Sequence, residues 1–143
     1  MCATAFCEPM DDFILSPKPW WLKMVTKDWQ WVTIEPRIYY PTGIEPLNYP
    51  AIIEHEKVHL SQQKKTGKYY WIFKYIISRN FRLEQEIEPI IIELSNTPLD
   101  ARKNLAARYA RSLSGSAYYR AAKSYDLALE SILTKAREMG VEY

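Results

Sequence analysis

The sequence has few of the residues that build common reactive sites. Its 143 residues contain two histidines and two cysteines. The cysteines, Cys2 and Cys7, have no second pair to complete a tetrahedral metal set or a disulfide framework, so we interpret them as free thiols in a reducing compartment. Any histidine chemistry therefore depends on His55 and His59.

The sequence also lacks a long uncharged apolar run. Its most apolar stretch, residues 69–77, is short for a membrane span and contains Lys74. The first residues show no basic region followed by an apolar one, which argues against a secretory signal. We therefore expect a cytoplasmic protein without a transmembrane segment. The net charge of +2 gives no clear nucleic-acid signal.

Length and composition favour one globular domain over residues 1–143. The chain is 48% hydrophobic and 25% charged, which suits a single domain with a sizeable core. Residues 1–19 look irregular because three prolines punctuate them. Short strands are predicted at Val32–Ile34 and Arg37–Tyr40. The prolines on either side of the second strand indicate that it is an edge strand or lies beside one.

Helical signals begin near Asn48, so the predicted fold class is α+β and mainly helical. The first helix is predicted from Tyr49 to Thr66, with Asn48 as its cap, Pro50 in its first turn and Gly67 after its end. An apolar second helix is predicted over residues 68–78.

Capping residues and prolines also predict where the later helices begin and end. A third helix is predicted to start near Asn80, and Pro89 is expected to kink or end it. Residues 97–140 form a helical C-terminal region, with one helix capped by Thr97 and a last helix from Ser124 to Met139.

The first predicted helix carries both histidines in the stretch HEKVH. Because a helix advances about 100° per residue, His55 and His59 project from one face and can chelate one ion. Glu56 lies one step around the helix. In this HExxH arrangement zinc acidifies a water, and the glutamate accepts its proton as the water attacks a carbonyl. The alternative is that both histidines lie on a polar helix face with no ligand.

Two histidines leave zinc one protein ligand short. A carboxylate is the expected third ligand, and a thiolate of Cys2 or Cys7 is less favoured. The third helix offers three glutamates. Glu84 and Glu88 share a face there, whereas Glu86 points largely away from it. The alternative for this acidic cluster is a solvated helix face.

The pattern IIEHEKVHLSQQ, followed about 25 residues later by LEQEIE, resembles the gluzincin branch of zinc metallopeptidases. It is especially similar to small predicted metallopeptidase domains of bacteria and phages, over residues 37–93. The resemblance implies a minimal zincin-like domain with an active-site helix, a Zn²⁺ cofactor and a peptide or protein substrate. Matching the motif residue by residue implies Glu84 as third ligand, with Glu88 as the alternative. Ile87 stands where the family usually has alanine.

The resemblance also implies a place for the substrate. In zincins an edge strand above the active-site helix pairs with an extended peptide. The corresponding residues here are Ile38, Tyr39 and Tyr40. The alternative is that this strand packs against the helices and has no contact with substrate.

Further aromatic and basic residues are candidates for the oxyanion site and the core. The candidates to stabilise an oxyanion, chosen because they follow a glycine break, are Tyr118, Tyr119 and Arg120. Four tryptophans are expected in the core, with the wall of a substrate cleft as the alternative; they are Trp20, Trp21, Trp29 and Trp31.

The predicted function is zinc-dependent peptide hydrolysis, with Glu56 as general base. The competing hypothesis is a non-catalytic binding or regulatory protein that keeps a zincin scaffold and contacts a protein or nucleic acid. The presence of Glu56 favours the enzyme. A third hypothesis treats residues 69–77, with the lysines before them, as a membrane-surface element. A buried helix is the simpler account of that stretch, and the oligomeric state is not predicted.

Overall fold

The computed structural model describes residues 12–143, and the chain divides into two compact units. The first is Met1–Lys68 and the second is Tyr69–Tyr143. Within residues 12–143 there are six α-helices and one three-stranded sheet, so the prediction of a mainly helical α+β protein is confirmed. The prediction of one domain stays a prediction. Cys2 and Cys7, the predicted free thiols, lie outside the described residues.

The first unit combines a small sheet with one long helix. Its elements in chain order are β1 (Ile14–Pro17), α1 (Trp20–Val25), β2 (Val32–Ile34), β3 (Arg37–Tyr40), a 3₁₀ turn (Pro46–Asn48) and α2 (Pro50–Thr66). The predicted strands β2 and β3 are confirmed. The expectation that residues 1–19 are irregular is wrong at β1, because Pro17 ends an edge strand, where a proline is tolerated.

Strand β3 is the centre of the sheet. It runs parallel to β1 and antiparallel to β2, so Ile38 stands opposite Leu15 on one side and Thr33 on the other. Ile38 is fully buried. The flanking prolines predict either an edge strand or a strand beside one. The second alternative is confirmed, because β3 lies between the edge strands β1 and β2.

Helix α2 begins and ends near its predicted bounds. Pro50 occupies the first turn, where a missing N–H leaves no bond unmade. Gly67 follows the helix at a φ of +88°, a region that favours glycine. The predicted cap, Asn48, instead lies in the 3₁₀ turn, and Tyr49 holds the N-cap position. The helix contacts β2 and β3.

The second unit is built from helices. Helix α3 (Lys68–Ile77) starts at the last residue of the first unit, and α4 (Arg79–Ser95), α5 (Leu99–Ser114), a 3₁₀ turn (Ser116–Tyr118) and α6 (Tyr125–Glu138) follow. Helices α4, α5 and α6 surround one apolar core. Alanines on α5 and α6 let the helices approach closely; they are Ala106, Ala110, Ala128 and Ala136.

Helix α4 runs through Pro89, so the predicted end at this residue is wrong. A proline inside a helix costs about 3 kcal/mol or more because it removes a backbone hydrogen bond. Pro89 is fully buried here beside Ile90 and Ile91, which are also fully buried. Burial of these side chains in the core contributes energy of the same order and offsets the loss.

The helix caps of the C-terminal region follow the sequence in part. Ser124 caps α6, and its side chain accepts a hydrogen bond of 3.1 Å from the Leu127 N–H, as predicted. Thr97 does not cap α5, because its hydroxyl donates to the Glu93 carbonyl at 2.7 Å and Pro98 holds the N-cap position.

Aromatic side chains are more exposed than predicted. Trp20, Trp21 and Trp29 are exposed, so their expected place in the core is wrong, while Trp31 is half-buried against Tyr40. Helix α3 likewise buries a single residue, Trp71, where a buried helix was the simpler expectation. None of the helices described is both long enough and apolar enough to cross a membrane.

Candidate metal centre

Helix α2 presents its two histidines side by side in a buried position. His55 is 3% exposed and His59 is 6% exposed. Their ring centroids lie 5.3 Å apart with 66° between the ring planes. The four-residue spacing on a helix predicts this proximity. Two buried imidazoles this close can ligate one metal ion.

The tautomer of His59 follows from its neighbour one turn later. The Nδ1 atom of His59 lies 2.9 Å from the Oε1 atom of Gln62. When Nδ1 donates to this amide oxygen, Nε2 keeps the lone pair that a metal needs. A fixed outer nitrogen of this kind is the usual support of a metal-binding histidine.

The carboxylate of Glu56 is buried and oriented from the sheet. Glu56 is 7% exposed, and the hydroxyl of Thr33 donates a hydrogen bond of 2.6 Å to its Oε2 atom. Thr33 belongs to β2 and is itself buried. The side chain of Glu56 is therefore held by a strand packed against its own helix. No feature of the HExxH spacing predicts this partner, because Thr33 lies 23 residues earlier.

Gln63 fixes the position of α2 against that strand. Its side chain is fully buried, donates at 2.8 Å to the Thr33 carbonyl and accepts at 2.8 Å from the Glu35 N–H. The amide thus replaces the backbone partners that an edge strand lacks. This clamp sets the register between the Glu56 side chain and Thr33.

Helix α4 buries Glu86 and leaves Glu84 at the surface. Glu86 is 2% exposed, and its Oε1 atom accepts a hydrogen bond of 2.5 Å from the Tyr75 hydroxyl. Glu84 is exposed and Glu88 is half-buried. Both line a groove of about 570 Å³ against α6, together with Glu130 and other residues.

Buried groups that could ligate a metal occur in each unit. In the first unit they are the neighbouring imidazoles of His55 and His59. In the second unit Glu86 is a buried carboxylate on α4. The third ligand stays a prediction, for which the motif implies Glu84 with Glu88 as the alternative.

Glu86 differs from Glu84 and Glu88 in the face of α4 that it occupies. Glu86 shares its helix face with Ile90 and Glu93, at spacings of four and seven residues, and all three are buried. Glu84 and Glu88 lie on the opposite side.

The predicted substrate strand is not available for pairing. Ile38, Tyr39 and Tyr40 lie in β3, whose backbone pairs with β1 and with β2. Addition of an extended peptide needs an unpaired edge. Strand β3 therefore has no free edge for strand addition, and a contact of these residues with substrate stays a prediction.

The candidate oxyanion residues lie in and after the short turn before α6. Tyr118 is half-buried against the helical core, while Tyr119 and Arg120 are exposed with φ of 52° each. Their role in stabilising an oxyanion stays a prediction.

Comparison with known proteins gives no relative, because no protein-family model, no curated protein and no solved structure matches the chain. The resemblance to gluzincins therefore stays a prediction from the motif.

Proposed function

We propose that this chain is a zinc-dependent peptidase of zincin type, in which His55, His59 and Glu86 hold the ion and Glu56 is the general base. The observation that carries the proposal is the buried HExxH group of α2, in which the two imidazoles lie side by side and Thr33 orients Glu56. Two histidines and a glutamate form one of the usual ligand sets of catalytic zinc, and they leave a coordination position open.

The hydrogen-bond partners of the proposed ligands also suit a zinc site. Tyr75 donates to Glu86, and Gln62 accepts from His59, so two of the three proposed ligands have an oriented outer partner. Zinc bound there would polarise a substrate carbonyl and lower the pKa of water to about 7.

The chain's own residues supply the proton transfers. Glu56 would accept a proton from the attacking water and deliver it to the leaving amine, as a carboxylate beside the first ligand does in HExxH peptidases. Thr33 holds the Oε2 atom of Glu56 in one orientation, which leaves the Oε1 atom for the proton. Burial of Glu56 and both histidines limits competing bulk water.

Metal content tests the ligand set. We expect about one zinc per chain of wild type by elemental analysis, with zinc lost in His59→Ala and Glu86→Gln. The matched controls are Glu84→Gln and Glu88→Gln, which remove a carboxylate from the same helix and should keep the metal. Loss of zinc in Glu84→Gln with retention in Glu86→Gln would reject the ligand set proposed here. A full complement of iron or nickel in place of zinc would reject the zinc assignment.

Peptide cleavage tests the activity separately. Wild type should cleave members of a quenched-fluorescence peptide library, and Glu56→Gln should be inactive with its zinc retained. The competing hypothesis, a non-catalytic protein on a zincin scaffold with or without metal, predicts no cleavage by wild type. Equal cleavage by wild type and Glu56→Gln would remove Glu56 from the mechanism.

A further inference from the structure

Helix α3 exposes a large apolar surface for its length. Five of its ten residues are exposed aromatic or aliphatic side chains; they are Tyr69, Tyr70, Phe73, Ile76 and Ile77. Ile76 is 69% exposed and Phe73 is 59% exposed. Spacings of three, four and seven residues place them on one side of the helix. A contiguous apolar patch of this kind marks an interaction surface, whereas single exposed apolar residues need no explanation.

The opposite side of α3 is firmly attached within the second unit. Trp71 is buried, stacks on Tyr75 with centroids 4.8 Å apart, and donates from its indole nitrogen to the side chain of Gln85 at 2.9 Å. Arg82 donates to the carbonyls of Tyr75 and Ile76, each at 2.8 Å, which satisfies groups at the helix end. The apolar patch therefore belongs to a helix whose structure does not depend on it.

The sequence around the patch carries charge of one sign. Residues 57–83 contain seven lysines and arginines and no aspartate or glutamate. Lys57 pairs with Glu54, and Arg82 binds the carbonyls at the end of α3. Lys64, Lys65 and Arg79 are exposed. An anionic partner would therefore meet no acidic residue along this stretch.

We propose that α3 is a membrane-surface contact that seats its apolar residues at the headgroup boundary of an anionic bilayer. Tyrosine and lysine or arginine beside aliphatic residues is the composition of interfacial helices. Ten residues rise about 15 Å, half the hydrocarbon thickness, so the helix lies on the surface and does not cross it.

The charge distribution favours lipid over a second copy of the chain. In a two-fold dimer the patches of the two copies face each other, so the cations beside one patch would lie near the same cations of the other copy and repel them. An anionic lipid surface instead attracts each exposed lysine and arginine. Lys74, which lies 5.8 Å from the centre of the Phe81 ring, adds a further cation on α3 itself.

Vesicle co-sedimentation of the full chain tests this proposal. We expect binding to vesicles of phosphatidylcholine with phosphatidylglycerol at low salt, weaker binding to phosphatidylcholine alone, and release at high salt because salt screens surface charge. Absence of binding to both vesicle types would overturn the proposal. A dimer in sedimentation velocity that binds no vesicles would also overturn it, if substitution of the apolar residues converts that dimer to monomer. A second copy of the chain would then cover the patch.

Variants distinguish binding through the α3 patch from nonspecific binding of exposed apolar residues elsewhere. The triple change Phe73→Gln, Ile76→Gln and Ile77→Gln should reduce partitioning about tenfold or more. The matched control changes three exposed leucines elsewhere, Leu47→Gln, Leu99→Gln and Leu127→Gln, and should bind like wild type. Circular dichroism establishes that each variant is folded. Equal losses in the two triple variants would overturn the proposal.

A charge variant keeps the test valid if the apolar variant fails to fold. Lys65→Glu with Arg79→Glu leaves the apolar patch intact and changes two exposed cations. This variant should lose the preference for phosphatidylglycerol, because two cations that attract the anionic lipid are replaced by anions that it repels. Unchanged preference would overturn the electrostatic part on which the choice of lipid rests.

Discussion

The hydroxyl of Thr33 donates a hydrogen bond of 2.6 Å to the carboxylate of Glu56, and both side chains are buried. This contact joins β2 to α2 at the residue that the HExxH motif marks as general base. A buried carboxylate needs such a partner, because an unsatisfied charged group away from water is costly. The sheet of the first unit thus orients a side chain that the helix alone would leave mobile.

The first prediction concerns this hydrogen bond. Thr33→Val should lower the free energy of unfolding by about 1–3 kcal/mol, since the Glu56 carboxylate loses its donor while the side-chain volume is kept. Thr33→Ser retains the hydroxyl and should lose less. Zinc content should stay at the wild-type level in both, because neither change touches a proposed ligand. Urea unfolding monitored by circular dichroism measures the difference, and equal destabilisation in the two variants would contradict the role of the hydroxyl.

The second prediction contrasts two adjacent glutamines. Gln62→Leu should weaken zinc binding about 10- to 100-fold, because His59 loses the acceptor that fixes its tautomer. Gln63→Leu should instead lower the free energy of unfolding by about 2–4 kcal/mol, because the buried Thr33 carbonyl and the partly buried Glu35 N–H lose their partners. Zinc competition titration and urea unfolding on both variants give the comparison. A larger effect of Gln62→Leu on stability than on zinc affinity would contradict the assignment.

The third prediction concerns the outer partner of Glu86. Tyr75→Phe removes the hydroxyl that donates to this carboxylate and should weaken zinc binding about tenfold or more. The second unit offers a matched control, because Tyr109 donates to the buried Glu93 in the same way. Tyr109→Phe should leave zinc affinity unchanged. Equal zinc affinity in all three proteins would show that Tyr75 does not support a metal ligand.

The fourth prediction follows from the raised pKa of Tyr109. Burial is the main cause, and the neighbouring Tyr118 and Glu93 add to it, so the pKa of Tyr109 lies well above its ordinary 10.0. The folded state then keeps a proton that the unfolded chain releases above pH 10, so stability from this residue is complete below pH 10 and is lost as the pH rises beyond it.

Comparison of wild type with Tyr109→Phe isolates that contribution. At pH 8 the variant should be less stable by about 1–3 kcal/mol, because Glu93 loses its donor. The difference should shrink between pH 10 and pH 11, which urea unfolding at a series of pH values measures. A difference that stays constant over this range would mean that Tyr109 titrates alike in both states.

Several local features follow from the sequence because short-range geometry determines them. The strands β2 and β3, the termination of α2 at Gly67 and the cap of α6 at Ser124 agree with their predictions. The proximity of His55 and His59 belongs to the same class, since four residues on a helix nearly complete one turn.

Other features needed contacts between distant segments. The place of β3 at the centre of the sheet depends on β1, which the proline-rich N-terminal pattern concealed. The continuation of α4 through Pro89 depends on the core that α5 and α6 complete around it. The local rule that proline ends or kinks a helix predicts an end at Pro89, because the rule does not consider the burial of the helix in a core.

The sequence by itself determined that two histidines and a glutamate share one helix in the HExxH arrangement, since the helical period links residues one turn apart. The tertiary structure alone decided that Glu86 is buried on α4 while Glu84 is exposed, and that Thr33 holds Glu56. Both decisions rest on which face of a helix becomes buried, and burial is the sum of contacts among segments far apart in the chain.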